Sequence, residues 1–284
     1  MRKFKRNEFG GFLSNSFIQI CLIIWATVEL FPILWLFMSS FKPPGEIRKV
    51  FALPTSLYTG NYDFDKFREG GITIGIYLRN SAIVASLSLL ILTIVVLLAA
   101  YGIAKLKVTG KNVIIILLLG LVGVPVHSLM IPIFYFFNKL NMLDNIWGLV
   151  LPYVAFHAPF STLILQSYFK QFPDELIEAA KIDGCSNIRA FFTVVLPVSL
   201  GAVSAVTILN FTYIWNEFLF ALVMMRHNAS KTLPVGLMNF KGQYLIEWGP
   251  MMAGLVVAII PTTIFYFIFH RNLIKGISVG AVKG

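Results

Sequence analysis

KQFPDELIEAAKIDGCSNIRAFFTVVLPVS, residues 170–199, is a polar stretch between two long apolar runs and is called the polar loop below. It carries too many charged side chains to cross a membrane. Pro173 followed by Asp174 is typical of a helix start, because proline fits the first turn and an acidic side chain interacts favourably with the helix dipole there. We expect this helix to end near Ile182, because Gly184 stands where a left-handed residue would follow the last turn. The polar loop therefore begins with a short helix that stops at a glycine turn.

A second short helix is predicted after the turn, where Ser186 can cap the first residues and Pro197 is expected to end the helix. Its apolar residues are expected on one side: Ile188, Phe191, Phe192 and Val195. In the first helix, three- and four-residue spacing places three apolar residues on one face: Leu176, Ile177 and Ala180. Two interpretations are open. The loop could pack against its own bundle, or it could be a docking surface for a soluble partner.

The apolar runs indicate a membrane protein. Of the 284 residues, 57% are hydrophobic and 13% are charged, which excludes a disordered chain, a nucleic-acid-binding arm and most soluble enzymes. About 20 apolar residues cross a bilayer core of about 30 Å. Six stretches reach that length: Phe17–Phe41, Asn80–Ala104, Asn112–Phe137, Ile146–Phe169, Leu200–Met224 and Met251–His270. We therefore expect an all-α integral membrane protein with six transmembrane helices, in which residues 17–284 form a single domain.

Basic residues near the ends of the apolar runs indicate the orientation. The formal net charge is +10, and residues 1–16 and the short connection at 105–111 are both rich in Lys and Arg. Such segments are typically cytoplasmic. The first apolar run is too long for the signal-peptide core of about 7–15 residues, so we expect it to be retained as a span. Both termini and the polar loop are accordingly predicted to be cytoplasmic, with residues 42–79 and 225–250 outside.

The sequence lacks the motifs of common enzymes. It has no GxxxxGK[ST] phosphate-binding loop, no HExxH metal motif and no GxSxG nucleophile elbow. Its four histidines are scattered, and their spacing suits no metal site. We expect a chain that is not an enzyme and that holds no metal or cofactor of its own.

The fifth apolar run is the most polar of the six. Four of its side chains fall within an arc of about 120° on a helix that turns about 100° per residue. These are Thr207, Asn210, Tyr213 and Glu217. A charged side chain inside a membrane costs about 2.5–3.5 kcal/mol, so Glu217 should face protein or water. The four residues could line a translocation path, or they could hydrogen-bond between helices.

The polar loop resembles the EAA loop in the permeases of ATP-binding-cassette (ABC) importers. The matching residues are Glu178-Ala179-Ala180, Asp183-Gly184 and Leu196-Pro197. Segments at 131–153, 212–225 and 275–284 resemble the carbohydrate-uptake branch of that family, and within it the second permease of maltose-type and multiple-sugar systems. The resemblance covers nearly the whole chain after Tyr77 and is weakest in the segment 42–79.

The resemblance implies a type I ABC importer permease in a bacterial cell membrane, with a five-helix core over about residues 77–284. A sister permease, two cytoplasmic ATPase subunits that bind ATP and Mg, and an extracytoplasmic solute-binding protein would complete the transporter. The substrate would be a sugar, with an oligosaccharide as the guess. The implied ATPase-coupling residues are Glu178, Ala179, Ala180, Asp183, Gly184, Phe191, Leu196 and Pro197.

Two other function classes are weighed against the importer. A proton- or ion-coupled carrier or channel acting alone could use Glu29 and Glu217 as a relay, although such a protein would be expected to show inverted halves and more acidic residues in its spans. A membrane enzyme is disfavoured by the missing motifs. Within the importer class, an anionic substrate would be expected to bring basic residues into the spans, and the sequence has none deep inside them.

Overall fold

The computed structural model describes residues 4–49, 51–64, 73–238 and 248–281, with side chains from residue 16 to residue 270 of these ranges. All the regular elements in these ranges are helical. The main helices are α1 (Phe4–Ser39), α2 (Ile74–Lys105), α3 (Lys111–Val122), α4 (Met130–Lys139), α5 (Trp147–Lys170), α6 (Asp174–Ile182), α7 (Asn187–Ala190), α8 (Leu196–Val198), α9 (Leu200–Asn216), α10 (Leu219–Met224), α11 (Leu233–Leu237) and α12 (Trp248–Ala281).

Four helices in the described ranges are each long and apolar enough to span a membrane. They are Ser16–Ser39 of α1, α2, α5 and Trp248–His270 of α12. Two further spans are bent pairs, Lys111–Val122 with Val126–Lys139 at 87° and Asn187–Val198 with Leu200–Asn216 at 81°. Counting each bent pair as one span gives up to six spans, the number that the sequence predicts. The second pair differs from the predicted fifth span, because it includes Asn187–Val198 of the polar loop.

The predicted third span, Asn112–Phe137, is not one straight helix. Helix α3 ends at Val122, and the chain turns before α4 begins. Pro125 explains the break, because it has no N–H to donate and it disfavours helical geometry at Val124. The predicted fifth span is also interrupted, because α9 ends at Asn216 and Glu217 is extended (φ −64°, ψ 129°).

The chain forms two compact units. The larger unit, Arg68–Asn239 with Ala258–Gly284, has its core where α2 packs along α5 and where α9 packs against both helices. Small buried residues on α2, among them Ala85, Ser88 and Ala100, let the neighbouring backbone approach closely. This packing places the C-terminal end of α2 beside the polar loop.

The smaller unit, Met1–Phe67 with Phe240–Val257, contains α1 and the segment that follows it. The buried Asn61 amide donates to the carbonyls of Ser40 and Lys42 at 2.8 and 2.9 Å. The Asn61 side chain also lies so close to Gly249 that a Cβ there would overlap it. The segment after α1 is therefore an ordered cap whose central asparagine touches the beginning of α12.

Candidate functional site

The first helix of the polar loop has two faces. Ile177 and Ala180 are buried, whereas Glu178 and Ala179 are exposed. Leu176, which was expected on the same face as these two residues, is 49% exposed. Helix α6 thus attaches to the bundle through Ile177 and Ala180 and leaves its acidic and apolar outer face uncovered in this chain.

The turn after α6 has the predicted geometry. Gly184 has φ 83°, in the left-handed region that favours glycine. The Cys185 N–H donates to the Ala180 carbonyl at 2.9 Å, and the Gly184 N–H donates to the Lys181 carbonyl at 3.0 Å. These two bonds form a Schellman motif, which satisfies the last carbonyls of the helix. The prediction of a glycine C′ residue is confirmed.

The second helix of the polar loop is longer and wider than predicted. Ser186 caps it by accepting the Arg189 N–H at 3.3 Å, as expected. A π-helical turn, Phe191–Val195, follows α7, and the helix ends at Val198, one residue beyond Pro197.

The bundle covers only some of the apolar residues that were expected on one side of this second helix. Phe191 and Val195 are buried, but Ile188 and Phe192 are 66% and 52% exposed. The bundle contacts only one edge of the apolar stripe, so the other edge is left as an exposed apolar surface. Leu196 is half-buried, and Pro197 is exposed beside it.

An aromatic cluster attaches the polar loop to the bundle. The rings of Tyr101 on α2 and Phe191 lie 4.7 Å apart, and Phe169 of α5 lies 5.9 Å from Phe191. All three side chains are at most 4% exposed. The Tyr101 hydroxyl donates to the Asn187 carbonyl at 3.3 Å. Phe191 therefore faces its own bundle, whereas Glu178, Ala179, Asp183 and Gly184 face outward.

Lys105, the last residue of α2, also contacts the start of the polar loop. Its ammonium lies 2.6 Å from the Phe172 carbonyl, 2.6 Å from the Asp174 carboxylate and 3.5 Å from the Lys170 carbonyl. The Lys105 side chain is 5% exposed. In the sequence, this lysine is one of the basic residues at 105–111 that indicate orientation, and its position at a helix end gives no indication of these distant partners.

Two of the four predicted path residues lie inside the bundle. The buried Asn210 amide donates to the Ser161 hydroxyl of α5 at 2.9 Å. Thr207 is half-buried and donates to the Val203 carbonyl at 2.7 Å. A cavity of about 10 Å³ between them has room for one water molecule.

The other two predicted path residues have different surroundings. Tyr213 is 63% exposed, and its ring stacks on His157 at 5.7 Å. Glu217 accepts the Phe220 and Ala221 N–H groups at 2.8 and 3.1 Å and the Tyr153 hydroxyl. Glu217 therefore caps α10 as well as linking two helices. The assignment of all four residues to a path stays a prediction.

At the other end of α2, a second polar cluster holds the connection after α10. Asp144, with φ 58°, accepts the Arg226 and His227 N–H groups at 2.6 and 2.7 Å and the Ser230 hydroxyl at 2.6 Å. Burial alone would raise the Asp144 pKa, but these bonds and one from the His227 ring lower it overall. The Asn80 amide donates to the Ala229 carbonyl at 2.8 Å. A pocket of about 380 Å³ lies between Asn80, Asp144 and His227.

Comparison with known proteins identifies the architecture. Residues 96–279 match the family model described as binding-protein-dependent transport system inner membrane component. The chain belongs to this family. It is therefore a multi-pass membrane component of a transport system, with the helical fold of a type I ABC importer permease.

Curated relatives match the permease over nearly its full length. It is 34% identical to the trehalose/maltose transport system permease protein MalG of Thermococcus litoralis, over 96% of this chain and 98% of that one. It is 32% identical to the arabinooligosaccharides transport system permease protein AraQ of Halalkalibacterium halodurans, over 91% and 93% of the two chains. The relatives are transport permeases, in agreement with the expectation that this chain is a transport component rather than an enzyme.

A solved structure shows the same fold for the permease. A chain of a bacterial ABC transporter involved in the import of the acidic polysaccharide alginate superposes with a TM-score of 0.79. The two chains are 21% identical, and the match covers 95% of this chain and 98% of the other. The polar loop corresponds by its sequence to the EAA loop, which is typical of the family.

Proposed function

We propose that this chain is a permease subunit of an ATP-driven importer that moves a sugar, and specifically an oligosaccharide, into the cell by alternating access. The observation that carries the proposal is the form of the polar loop. Its inner face is fixed to the bundle by buried aromatic residues, while its outer face is exposed and carries four of the EAA-type residues, Glu178, Ala179, Asp183 and Gly184. Such a loop is suited to transmit the movement of a separate subunit.

The outer face of the polar loop is the proposed contact with the ATPase. Glu178, Ala179, Asp183 and Gly184 are exposed there. Three large apolar side chains are exposed near them: Ile182 at 87%, Ile188 at 66% and Phe192 at 52%. An apolar patch with a polar rim is typical of a surface that binds another protein. ATP and Mg would be bound by the ATPase, because this sequence has no phosphate-binding loop.

Transport would follow from a change in the relative stability of the outward-open and inward-open states of the transporter. Closing of the ATPase dimer on ATP would pull the polar loop, and the membrane helices would rock about a site near mid-membrane. ATP must bind the complex better in the outward-open state than in the inward-open state, or the equilibrium would not shift. The firm attachment of the polar loop through Tyr101, Phe169 and Phe191 supports such a transfer of motion.

The absence of cations inside the spans supports a neutral sugar as substrate. The relatives described above are named for trehalose/maltose and for arabinooligosaccharides. No Lys or Arg occurs in residues 80–104, 112–138, 148–169, 200–225 or 249–270. Thr207, Asn210, Tyr213 and Glu217 are proposed to contribute hydrogen bonds or ring stacking along the path.

The complete transporter is proposed to contain a sister permease, two ATPase subunits and an extracytoplasmic solute-binding protein in a bacterial cell membrane. Both termini and the polar loop would lie in the cytoplasm. The side chains of α1 from Phe17 to Leu34 are exposed and apolar apart from a few positions, which suits contact with lipid or with the sister permease. The segment 225–250, of which residues 239–247 lie outside the described ranges, is the proposed contact for the binding protein.

Reconstitution tests this proposal. The permease, its sister, the ATPase and the binding protein are placed in liposomes, and uptake of radiolabelled trehalose, maltotriose and arabinotriose is measured with and without ATP. We expect accumulation of at least one sugar only with ATP and with all components. Accumulation against a gradient by this chain alone would refute the proposal and would favour the ion-coupled alternative.

A further inference from the structure

The last two turns of α2 contact both helices of the polar loop. Tyr101 and Lys105 are four residues apart and therefore lie on the same face of α2. Tyr101 bonds to the Asn187 carbonyl at the start of the second helix, at 3.3 Å. Lys105 bonds to Asp174 at the start of the first helix, at 2.6 Å. One short segment of α2 thus holds the polar loop at two points.

The Lys105 ammonium has a hydrogen-bond acceptor for each of its donors. An ammonium group has three donors, and three acceptors surround this one: the carbonyls of Lys170 and Phe172 and the carboxylate of Asp174. Two of these acceptors belong to the backbone where α5 ends and α6 begins. A cation at the C-terminal end of α5 also interacts favourably with the helix dipole. Lys105 therefore fixes the junction through which α6 would move.

The opposite end of α2 is tied to another loop. The Asn80 amide donates to the carbonyls of Ala229 and Lys231 at 2.8 and 3.0 Å. The Ser81 hydroxyl accepts the Leu233 N–H at 2.8 Å. Between these ties, α2 is one continuous helix without a proline. Asn80 and Lys105 are separated by about 37 Å at 1.5 Å per residue.

We propose that Lys105 and Tyr101 are positioning residues that transmit movement of the polar loop into α2, and that α2 carries it to the segment 228–233 at the other membrane face. The proposal rests on the proposed function, because it assigns a route for the coupling that an ATPase would drive. It adds residues outside the EAA-type motif to the coupling machinery. It also connects the ATPase side with the segment proposed to meet the binding protein.

The test compares Lys105→Met with Lys107→Met in the reconstituted transporter. Lys107 is exposed two residues further along the same connection, so its substitution removes the same charge without removing the contact. The readout is the number of ATP molecules hydrolysed per sugar molecule imported. We expect Lys105→Met to raise this ratio about tenfold, a typical size for coupling between sites. Lys107→Met should leave it unchanged, and Lys105→Arg should restore part of the coupling.

Two further variants keep the proposal testable if Lys105→Met does not assemble. Tyr101→Phe removes only the hydroxyl that bonds to Asn187 and keeps the ring that packs on Phe191, and Asp174→Asn weakens only one of the three Lys105 contacts. Each should raise the ATP-to-sugar ratio by less than Lys105→Met. A ratio equal to that of the Lys107→Met transporter in all the assembled variants would overturn the inference.

The two proposals fail in different ways. Uptake by the wild-type chain that needs no ATP would refute the proposed function. Uptake that depends on ATP but is unaffected by Lys105→Met and Tyr101→Phe would leave the proposed function standing and would refute the role of α2.

Discussion

The polar loop and the fifth span differ in where their bonding partners lie along the chain. In the polar loop the bonds that form the glycine turn and the helix cap are local, such as the Cys185 N–H to the Ala180 carbonyl. In the fifth span the bonds are distant, since Asn210 pairs with Ser161 and Glu217 pairs with Tyr153. Helix caps and glycine turns are determined by residues that are close in sequence, whereas pairing across helices depends on how the helices are arranged. Variants in the two regions therefore separate the effects of local sequence from the effects of packing between helices.

The largest expected effect is on the exposed face of the polar loop. Glu178→Lys reverses a charge on an exposed side chain, so the chain should insert and remain as stable as the wild type. We expect ATP-driven uptake to fall about tenfold or more, in the range of coupling energies between sites. Uptake and ATPase binding are measured in the reconstituted transporter, with Gln171→Lys as the control on an exposed position before α6. Normal uptake by Glu178→Lys would show that this face does not couple.

Substitutions at Gly184 separate its local role from its proposed role in docking. A Cβ at this position would meet no atom within 4 Å, so only the left-handed backbone opposes a side chain. Gly184→Ala should cost about 1–2 kcal/mol of local stability and keep most uptake. Gly184→Trp should have the same backbone cost but should lose uptake, because the indole projects into the proposed ATPase contact. Equal uptake by the two variants would contradict docking at the turn.

The distant pair in the fifth span is expected to affect stability less strongly. Asn210→Leu leaves the Ser161 hydroxyl without its partner, and Ser161→Ala leaves the Asn210 amide without its own. Bonds between membrane helices contribute about 0.6 kcal/mol on average and about 1.7 kcal/mol at most. A double-mutant cycle, measured by denaturation in detergent, should give a coupling energy in this range. A value near zero would show that the pair does not contribute to helix packing and would leave Asn210 free to bind substrate.

The smallest expected effect concerns pH at Asp144. Its pKa is lowered in the folded chain below the ordinary value of 3.8, so the stability it contributes is present above that value. This contribution is lost as the pH falls through the lowered folded pKa. Protease cleavage within residues 225–230 should therefore accelerate only in strongly acidic solution. Asp144→Asn should be cleaved faster than the wild type at neutral pH, and equal cleavage would show that the carboxylate does not hold this segment.

The sequence predicted what depends on composition and on neighbouring residues. Long apolar runs indicated six spans, and Pro173, Gly184 and Ser186 marked the ends of the two helices in the polar loop. It did not predict the interruption at Glu217, because the carboxylate caps α10 only when the chain leaves the helix there. The contacts of Lys105 with Phe172 and Asp174 were missed for a similar reason. They form only because α2 ends beside the junction of α5 and α6.

The side of a helix that faces the bundle was also only partly predictable. Spacing alone placed Ile188 and Phe192 with Phe191, but the bundle covers only Phe191 and Val195. An apolar stripe indicates that the stripe is buried. It does not indicate whether the chain's own core or a partner protein buries it. Only the packing shows which edge of this stripe is exposed, and that edge belongs to the proposed ATPase contact.

The contact between Asn61 and Gly249 has a consequence for how the protein is made. Asn61 leaves the ribosome well before Gly249, and the two must meet before the cap after α1 is complete. Nascent chains that stop before α12 would therefore display an unfinished cap to the proteases that survey newly inserted membrane proteins. Completion of the cap after α1 therefore waits for synthesis of the start of α12.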